Sequence, residues 1–411
     1  MRAYERLLKY VKYNTQSDHD SKTYPSTSSQ LVFATDLAKE LTSLGVETTV
    51  DEYGYVIGKI QSTTKLNVPK LALIAHMDTS PDASGENVLP QIIYNYDGKD
   101  IVLNKQKHII LSPSVFKYLP RNTGQDLIVT DGTTLLGADD KAGVAEIMTI
   151  VEWLMEDKTI NHGEIIIVFT PDEEVGNGTE YLDLKKVGAD FGYTLDGSPA
   201  GEITYENFNA ASATITFNGK SVHPGSAKNT MVNSIHLAYE FDSFLPKFMR
   251  PEITEKYEGF NHLTEIKGTA EKTISKYIIR NHSKTIFEKQ KLDFQQVTDF
   301  MNLKYGNNTC ITHIEDSYYN MKEILANHPR IIDIALESIK EIGLTPYVEP
   351  IRGGTDGARL TYMGLPCPNL GTGGYNFHGP FEYVSIQEMD QSVEVVKKII
   401  QKVALKEKCH Q

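Results

Sequence analysis

Apolar residues along the first 200 positions alternate between two spacings. Leu7, Leu8 and Val11 mark a short amphipathic helix, and Leu37, Leu41 and Leu44 mark a second. Gly45 follows that helix, where a helix end favours a left-handed residue. Residues 71–75 (LALIA) are apolar without interruption, which predicts a strand buried on both faces. Val144, Ile147, Met148, Val151, Leu154 and Met155 return to helical spacing. Gly163 then opens a second apolar run over 164–169, and Phe191, Tyr193 and Leu195 alternate into a third strand. Strand, helix and strand at these crossover lengths predict an α/β layer with a largely parallel sheet.

The texture changes after about residue 207. Ala213, Ile215 and Phe217 alternate with Ser212, Thr214 and Thr216, as in a strand with one solvated face. A helix over 232–244 stops before Pro246, and alternating segments follow near 262–282 and 308–315. From about 320 the α/β texture resumes. Ile332, Ala335, Leu336 and Ile339 share a helix face ended by Gly343, and a long helix spans 386–406. The predicted fold is α/β, a largely parallel mixed sheet flanked by helices, with a smaller α+β insert. Residues 1–207 and 319–411 form the large domain and 208–318 the insert.

The length, 411 residues, suits two to three domains. Lys and Arg total 41 against 54 Asp and Glu, a formal charge of −13 that disfavours binding to nucleic acid or anionic lipid. Cys310, Cys367 and Cys409 form no CxxC pair and are odd in number, which fits a reducing compartment rather than a disulfide framework. Charges and tyrosines break every apolar stretch of the opening MRAYERLLKYVKY, so neither a signal peptide nor a membrane span is expected. A soluble, cytoplasmic protein is the expectation.

Acidic residues and histidines cluster at or just past the ends of the predicted strands: His76 with Asp78, Asp139 with Asp140, Glu173 with Glu174, Asp196, and His378. Ligands of open α/β sheets bind outside the carboxyl ends of the strands, so these positions can converge. Each taken singly has a plain structural explanation, such as a solvated turn or a helix cap. Jointly, so many buried strand ends carrying acids or imidazoles would cost considerable stability without a cation. Two imidazoles with several carboxylates suit zinc, with manganese or cobalt as substitutes.

The strings IAHMDTSPD, LLGADDKAG, FTPDEEVG, TLDG, VHPG, IRGGTDGA and GGYNFHG occur in this order, and ENFNAAS and EDSYYNM lie in and around the insert. Together they resemble the tripeptide aminopeptidases of the dinuclear-zinc aminoacylase and carboxypeptidase family, over nearly the whole chain. The resemblance implies two zinc ions per subunit, with His76 and Asp196 on one, Glu174 and His378 on the other, and Asp139 bridging them. It implies that Asp78 orients His76, that Glu173 is the general base, and that the Asp139–Asp140 peptide is cis. The insert becomes a lid and dimerisation domain. Its His223 would stabilise the oxyanion, commonly from the other subunit of a homodimer, and Asn233, Arg280 and Arg352 are candidate contacts to the tripeptide. Arginine suits a terminal carboxylate because its planar fork matches it bidentately. Asn281 departs from the Asp expected after Arg280, which would loosen the arginine. One residue is also inserted near 156–161. An N-acyl amino acid deacylase with the same centre stays open on the metal motifs alone. A peptide-binding protein without catalysis is disfavoured, because Glu173 and all five ligands are present.

Overall fold

The uninterrupted apolar run becomes the strand Leu71–His76, central in a seven-stranded sheet. In the computed structural model, which describes residues 1–405, the strand order is Glu47–Val50, Val56–Ile60, Ile165–Thr170, Leu71–His76, Phe191–Gly197, Asn369–Gly371 and Ile203–Thr204. The four strands from Ile165–Thr170 to Asn369–Gly371 run parallel, and the pairings outside them are antiparallel. Leu71, Leu73 and Ala75 join Ile165, Ile167 and Phe169 in one core, while Ala72, Ile74, Ile166 and Val168 join the other. Both faces are covered, so no position in these strands can be polar until they end.

The chain divides into two compact units. One comprises Met1–Tyr205, Glu323–Glu349 and the chain from Thr355 onward; the other comprises Glu206–Lys322 and Pro350–Gly354. Cys409 lies outside the described residues. The first unit also holds a small sheet ordered Gly374–Tyr375, Tyr383–Ser385, Leu127–Val129 and Gln91–Ile93. Strands of two or three residues carry too little alternation to be read from sequence.

The second unit is an antiparallel sheet ordered Phe260–Gly268, Lys272–Asn281, Asn209–Asn218 and Cys310–Tyr318. Ala211, Ala213, Ile215 and Phe217 are buried, and the residues between them are partly or fully exposed. The buried side packs against the helices Ser234–Phe244 and Lys284–Tyr305. The second helix is the longest of the unit, yet its apolar pattern does not announce it. Its buried seam is Phe287, Gln290, Phe294, Thr298 and Met301, so polar residues interrupt the stripe. Ser283 caps its start by accepting the Ile286 amide at 3.4 Å.

The structure adds detail to three sequence expectations. Segment Pro350–Gly354 packs with the second unit, because the Ile351 amide donates to the Glu206 carbonyl at 2.9 Å and Arg352 is held there too. Helix Pro329–Glu341 buries Ile331, Ile334, Ala335, Ser338 and Ile339, while Ile332 and Leu336 sit half-buried at the margins of that face. Asn281 does not touch Arg280: its Nδ2 donates to Gln290 Oε1 at 2.9 Å, and its Oδ1 accepts the Ser283 amide at 3.0 Å. The residue ties a strand to the long helix, as expected for adjacent strand positions that face opposite sides.

Leu73 is fully buried in the first core and Ile332 is not. Leu73→Ala should therefore destabilise the protein by about 2–5 kcal/mol, and Ile332→Ala by clearly less. Denaturant unfolding of both variants checks this ordering; equal losses would contradict the placement of the core.

Candidate metal centre

His76 closes its strand, and parallel pairing fixes its neighbours. It stands opposite Thr170 on one side, while Ile74 stands opposite Thr194 on the other. Asp196 follows Thr194 along the same strand, and Glu173 and Glu174 follow Thr170 in the next loop. The sheet register therefore delivers three of these groups to one edge. Asp139 and Asp140 come from elsewhere. They occupy the start of Ala138–Glu156 with non-helical backbone angles, and the peptide between them is cis. This corrects the strand-end expectation for that pair: a helix start carries them, where peptide dipoles favour a carboxylate. His378 sits in the loop between Gly374–Tyr375 and Tyr383–Ser385, with φ of 63°.

The groups converge as two clusters that share one residue. His76 Nε2 lies 2.9 Å from Asp139 Oδ1 and 3.5 Å from Asp196 Oδ1. His378 Nε2 lies 2.9 Å from Glu174 Oε2 and 3.2 Å from Asp139 Oδ2. One oxygen of Asp139 thus serves each cluster. The His76 side chain is 2% exposed and that of His378 44%, so the centre is approached from the His378 side.

Asp78, fully buried, holds this arrangement from behind. Its Oδ1 lies 3.3 Å from His76 Nδ1 and accepts the Glu173 amide at 3.0 Å, while Oδ2 accepts the Glu174 amide at 3.1 Å. Asp78 therefore sets both the imidazole, through its carbonyl at 3.2 Å from Nδ1 and its carboxylate beside it, and the loop that carries the two glutamates.

The electrostatics show what the cluster needs. Burial opposes charge on His76, but hydrogen bonds to Asp139, Asp196 and Asp78 hold its pKa well above the ordinary value. Hydrogen bonds to Asp139 and Glu174 push His378 up to about 11. Burial works against ionised Asp139, yet the two imidazoles hold it below the usual carboxylate range. Burial and the charge of Asp139 push Glu174 up to about 8. Burial also raises Glu173 well above a normal carboxyl. These carboxylates require positive charge between them. Oε1 of Glu174 is buried without a hydrogen-bond partner among the described residues, so one ligand atom remains for a cation. Imidazole nitrogens with carboxylate oxygens, shared through one aspartate, fit a pair of divalent ions.

The expected substrate contacts lie in the second unit. His223 is exposed at the start of a short 3-10 turn, and its Nδ1 accepts the Gly225 amide at 3.1 Å. That bond fixes the neutral tautomer with the proton on Nε2. Asn233 caps Ser234–Phe244 by accepting the Ile235 amide at 2.9 Å. Arg280 donates to the carbonyls of Ala211 at 3.2 Å and Ile279 at 3.0 Å, and lies over the Tyr318 ring. Burial lowers its pKa, and no carboxylate pairs with it among the described residues. Arg352 has both terminal nitrogens engaged: Nη1 donates to the Lys256 and Glu258 carbonyls at 2.7 Å, and Nη2 to Thr254 Oγ1 at 3.1 Å. Its guanidinium also stacks on Phe208.

Sequence reasoning missed the groups that hold the ligand loops. Asp140 Oδ2 accepts the His76 amide at 3.2 Å. Asp172 accepts Ser26 Oγ at 2.5 Å and Gln30 Nε2 at 2.7 Å, anchoring the Glu173–Glu174 loop. Glu382 accepts three amides of the loop that leads into Asp139. Their partners are far away in sequence, and only the motif position of Asp140 hinted at a role.

Compared with known proteins, residues 130–402 match the sequence model of peptidase family M20/M25/M40. The chain is 53% identical over 398 residues to a protein named Peptidase T from Caldanaerobacter subterraneus, covering 97% of each. It is 54% identical over 403 residues to one of the same name from Halothermothrix orenii, covering 98% of this chain and 99% of the relative. The fold is similar to a tripeptidase crystal structure from Staphylococcus aureus, with a TM-score of 0.78, 25% identity and 98% coverage of both chains. An aminopeptidase structure from Bacillus cereus gives the same TM-score at 24% identity, again covering 98% of each. With two thirds of its length matched by the family model and relatives above half identity end to end, this chain belongs to the M20/M25/M40 peptidase family, in its peptidase T group.

Proposed function

We propose that this chain is a metallo-aminopeptidase that releases the N-terminal residue of tripeptides, with zinc at both positions and cobalt or manganese as substitutes. The observation that carries this reading is the sharing of Asp139 between the His76–Asp196 and Glu174–His378 clusters. The name carried by the relatives above half identity supports a peptidase and does not favour the deacylase.

His76 and Asp196 would hold one ion, Glu174 and His378 the other, and Asp139 both. Bound there, the ions would supply the positive charge that acidifies water and polarises a carbonyl. Glu173 takes the proton of the attacking water and returns it to the leaving amine. Burial raises the proton affinity of its carboxyl, as a base requires, and Asp78 holds its backbone in place. His223 would present its Nε2 proton to the developing oxyanion, from a second copy in a homodimer, with the insert acting as lid. Arg280, charged and without a carboxylate partner among the described residues, is the stronger candidate for the substrate carboxylate. Arg352, with its terminal nitrogens occupied, is the weaker, and Asn233, whose Oδ1 caps the helix, donates its amide protons to nothing among the described residues and could make a further contact. A cytoplasmic location is proposed from the free, buried thiols of Cys310 and Cys367. Among the described residues no helix is long and apolar enough to cross a membrane.

Glu173→Gln should keep both ions and lose at least about 10²-fold in turnover, because an amide cannot accept the proton. Glu174→Gln should weaken one ion site instead. Elemental analysis beside tripeptide hydrolysis rates separates the two, and the reverse pattern would exchange their roles. Full activity in both variants, or hydrolysis of an N-acetyl amino acid in preference to a tripeptide, would remove the proposal.

The raised pKa values of His76 and His378 mean that cations must displace protons to bind. Uptake near pH 7 should therefore release protons from the two histidines and from Glu174, and affinity should fall as the pH is lowered. Titration calorimetry in buffers of different ionisation enthalpy measures the number. A value of zero would contradict the cluster electrostatics.

A further inference from the structure

The loop carrying His378 and the loop carrying Asp139 are far apart in sequence, yet their side chains must meet at one position. The link between them is Glu382, buried at 2% exposure. Its Oε2 accepts the amides of Leu136 at 2.7 Å and Gly137 at 2.8 Å, and its Oε1 accepts the amide of Asp139 at 3.0 Å. On its own side, Glu382 closes the turn that presents His378. Its amide donates to the Gly379 carbonyl at 3.2 Å, and Asn376 Nδ2 donates to the Phe381 carbonyl at 3.1 Å. The His378 loop is thus folded on itself and fastened, through one carboxylate, to the backbone of Asp139.

We propose that Glu382 is a positioning residue that sets the separation of His378 from Asp139, and so governs the affinity of the Glu174–His378 ion position. This rests on the metal-centre reading above. The chemistry requires a carboxylate. Both oxygens accept and neither donates, so three amide protons can be taken at once. A glutamine in its place would turn an N–H toward an N–H, leaving at least one buried amide unpaired and releasing the loop. The other ion position shares only Asp139 with this link: its His76 and Asp196 come from strands of the main sheet, whereas His378 depends on Glu382 from both sides, so the His76–Asp196 position should lose less affinity.

The test uses the full chain, stripped of metal with a chelator and titrated with Co2+ by calorimetry and visible absorption. The native protein should take up two ions. Glu382→Gln should weaken one step by about 10–100-fold, the scale expected when a partner behind a metal ligand is removed. That step should be the one also weakened by Glu174→Gln, and the other should be weakened less. Glu382→Asp keeps the charge but withdraws it by one methylene, so it should show the same selective loss at smaller size. Glu388→Gln removes another buried carboxylate, bonded to Asn122, Tyr375 and the Ala200 amide, and should leave both steps near native. Equal weakening of both steps in Glu382→Gln, or no change in the Glu174-sensitive step in either Glu382 variant, overturns the proposal. If Glu382→Gln does not fold, the aspartate variant decides by the same criterion. Uptake of fewer than two ions by the native protein would fell the metal-centre reading itself, and this inference with it.

Discussion

One carboxylate, Asp139, faces two imidazoles, and the site is organised by the charge this gathers. Fully ionised, Asp139, Glu174 and Asp196 would bring three negative charges against two rings that, with an ordinary pKa, are mostly neutral near pH 7. Like charges about 4 Å apart repel by about 4 kcal/mol at an effective dielectric of 20. The excess must be met by protons or by cations. Protons meet it only in part, which is why both rings are pulled upward while Glu174 and Asp196 are also pushed up by burial. Divalent ions meet it more fully, and they place that charge where a carbonyl and a water would react.

Such a cluster can persist only on a backbone that cannot relax away from it. The strands supply part of that rigidity, because both faces of the central sheet are packed. Loops supply the remaining ligands, and loop amides lack the ladder partners of a strand. Here carboxylates take that place: Asp78 for Glu173 and Glu174, Asp172 for Ser26, and Glu382 for the approach to Asp139. Each carboxyl group can accept several amide protons at once, which lets a single side chain hold a stretch of loop. The acidic residues around the centre therefore divide into those that face the cations and those that hold the backbone behind them.

The buried strands and the clustering of acids and histidines were readable because each has a local signature. An apolar run such as 71–75 suits a strand covered on both faces, and an acid or histidine at its end breaks the run abruptly. The change of texture at the insert was readable for the same reason. The helix Lys284–Tyr305 was not, because Gln290 and Thr298 interrupt its seam: Gln290 finds its partner in Asn261, and Thr298 bonds back to the Phe294 carbonyl as well as to Thr312. Arg352 looked like a free fork in a glycine-rich loop, and only the fold shows its donors spent on carbonyls near 254–258. The link from Glu382 to Asp139 crosses more than 240 positions, and no periodicity records it.

The central claim is that two cations share Asp139. X-ray diffraction from crystals of the zinc-loaded protein, collected on either side of the zinc absorption edge, locates the ions directly. Two anomalous peaks should appear, one among His76, Asp139 and Asp196, the other among Asp139, Glu174 and His378. A single peak, or peaks that leave Asp139 bound to neither ion, would contradict it.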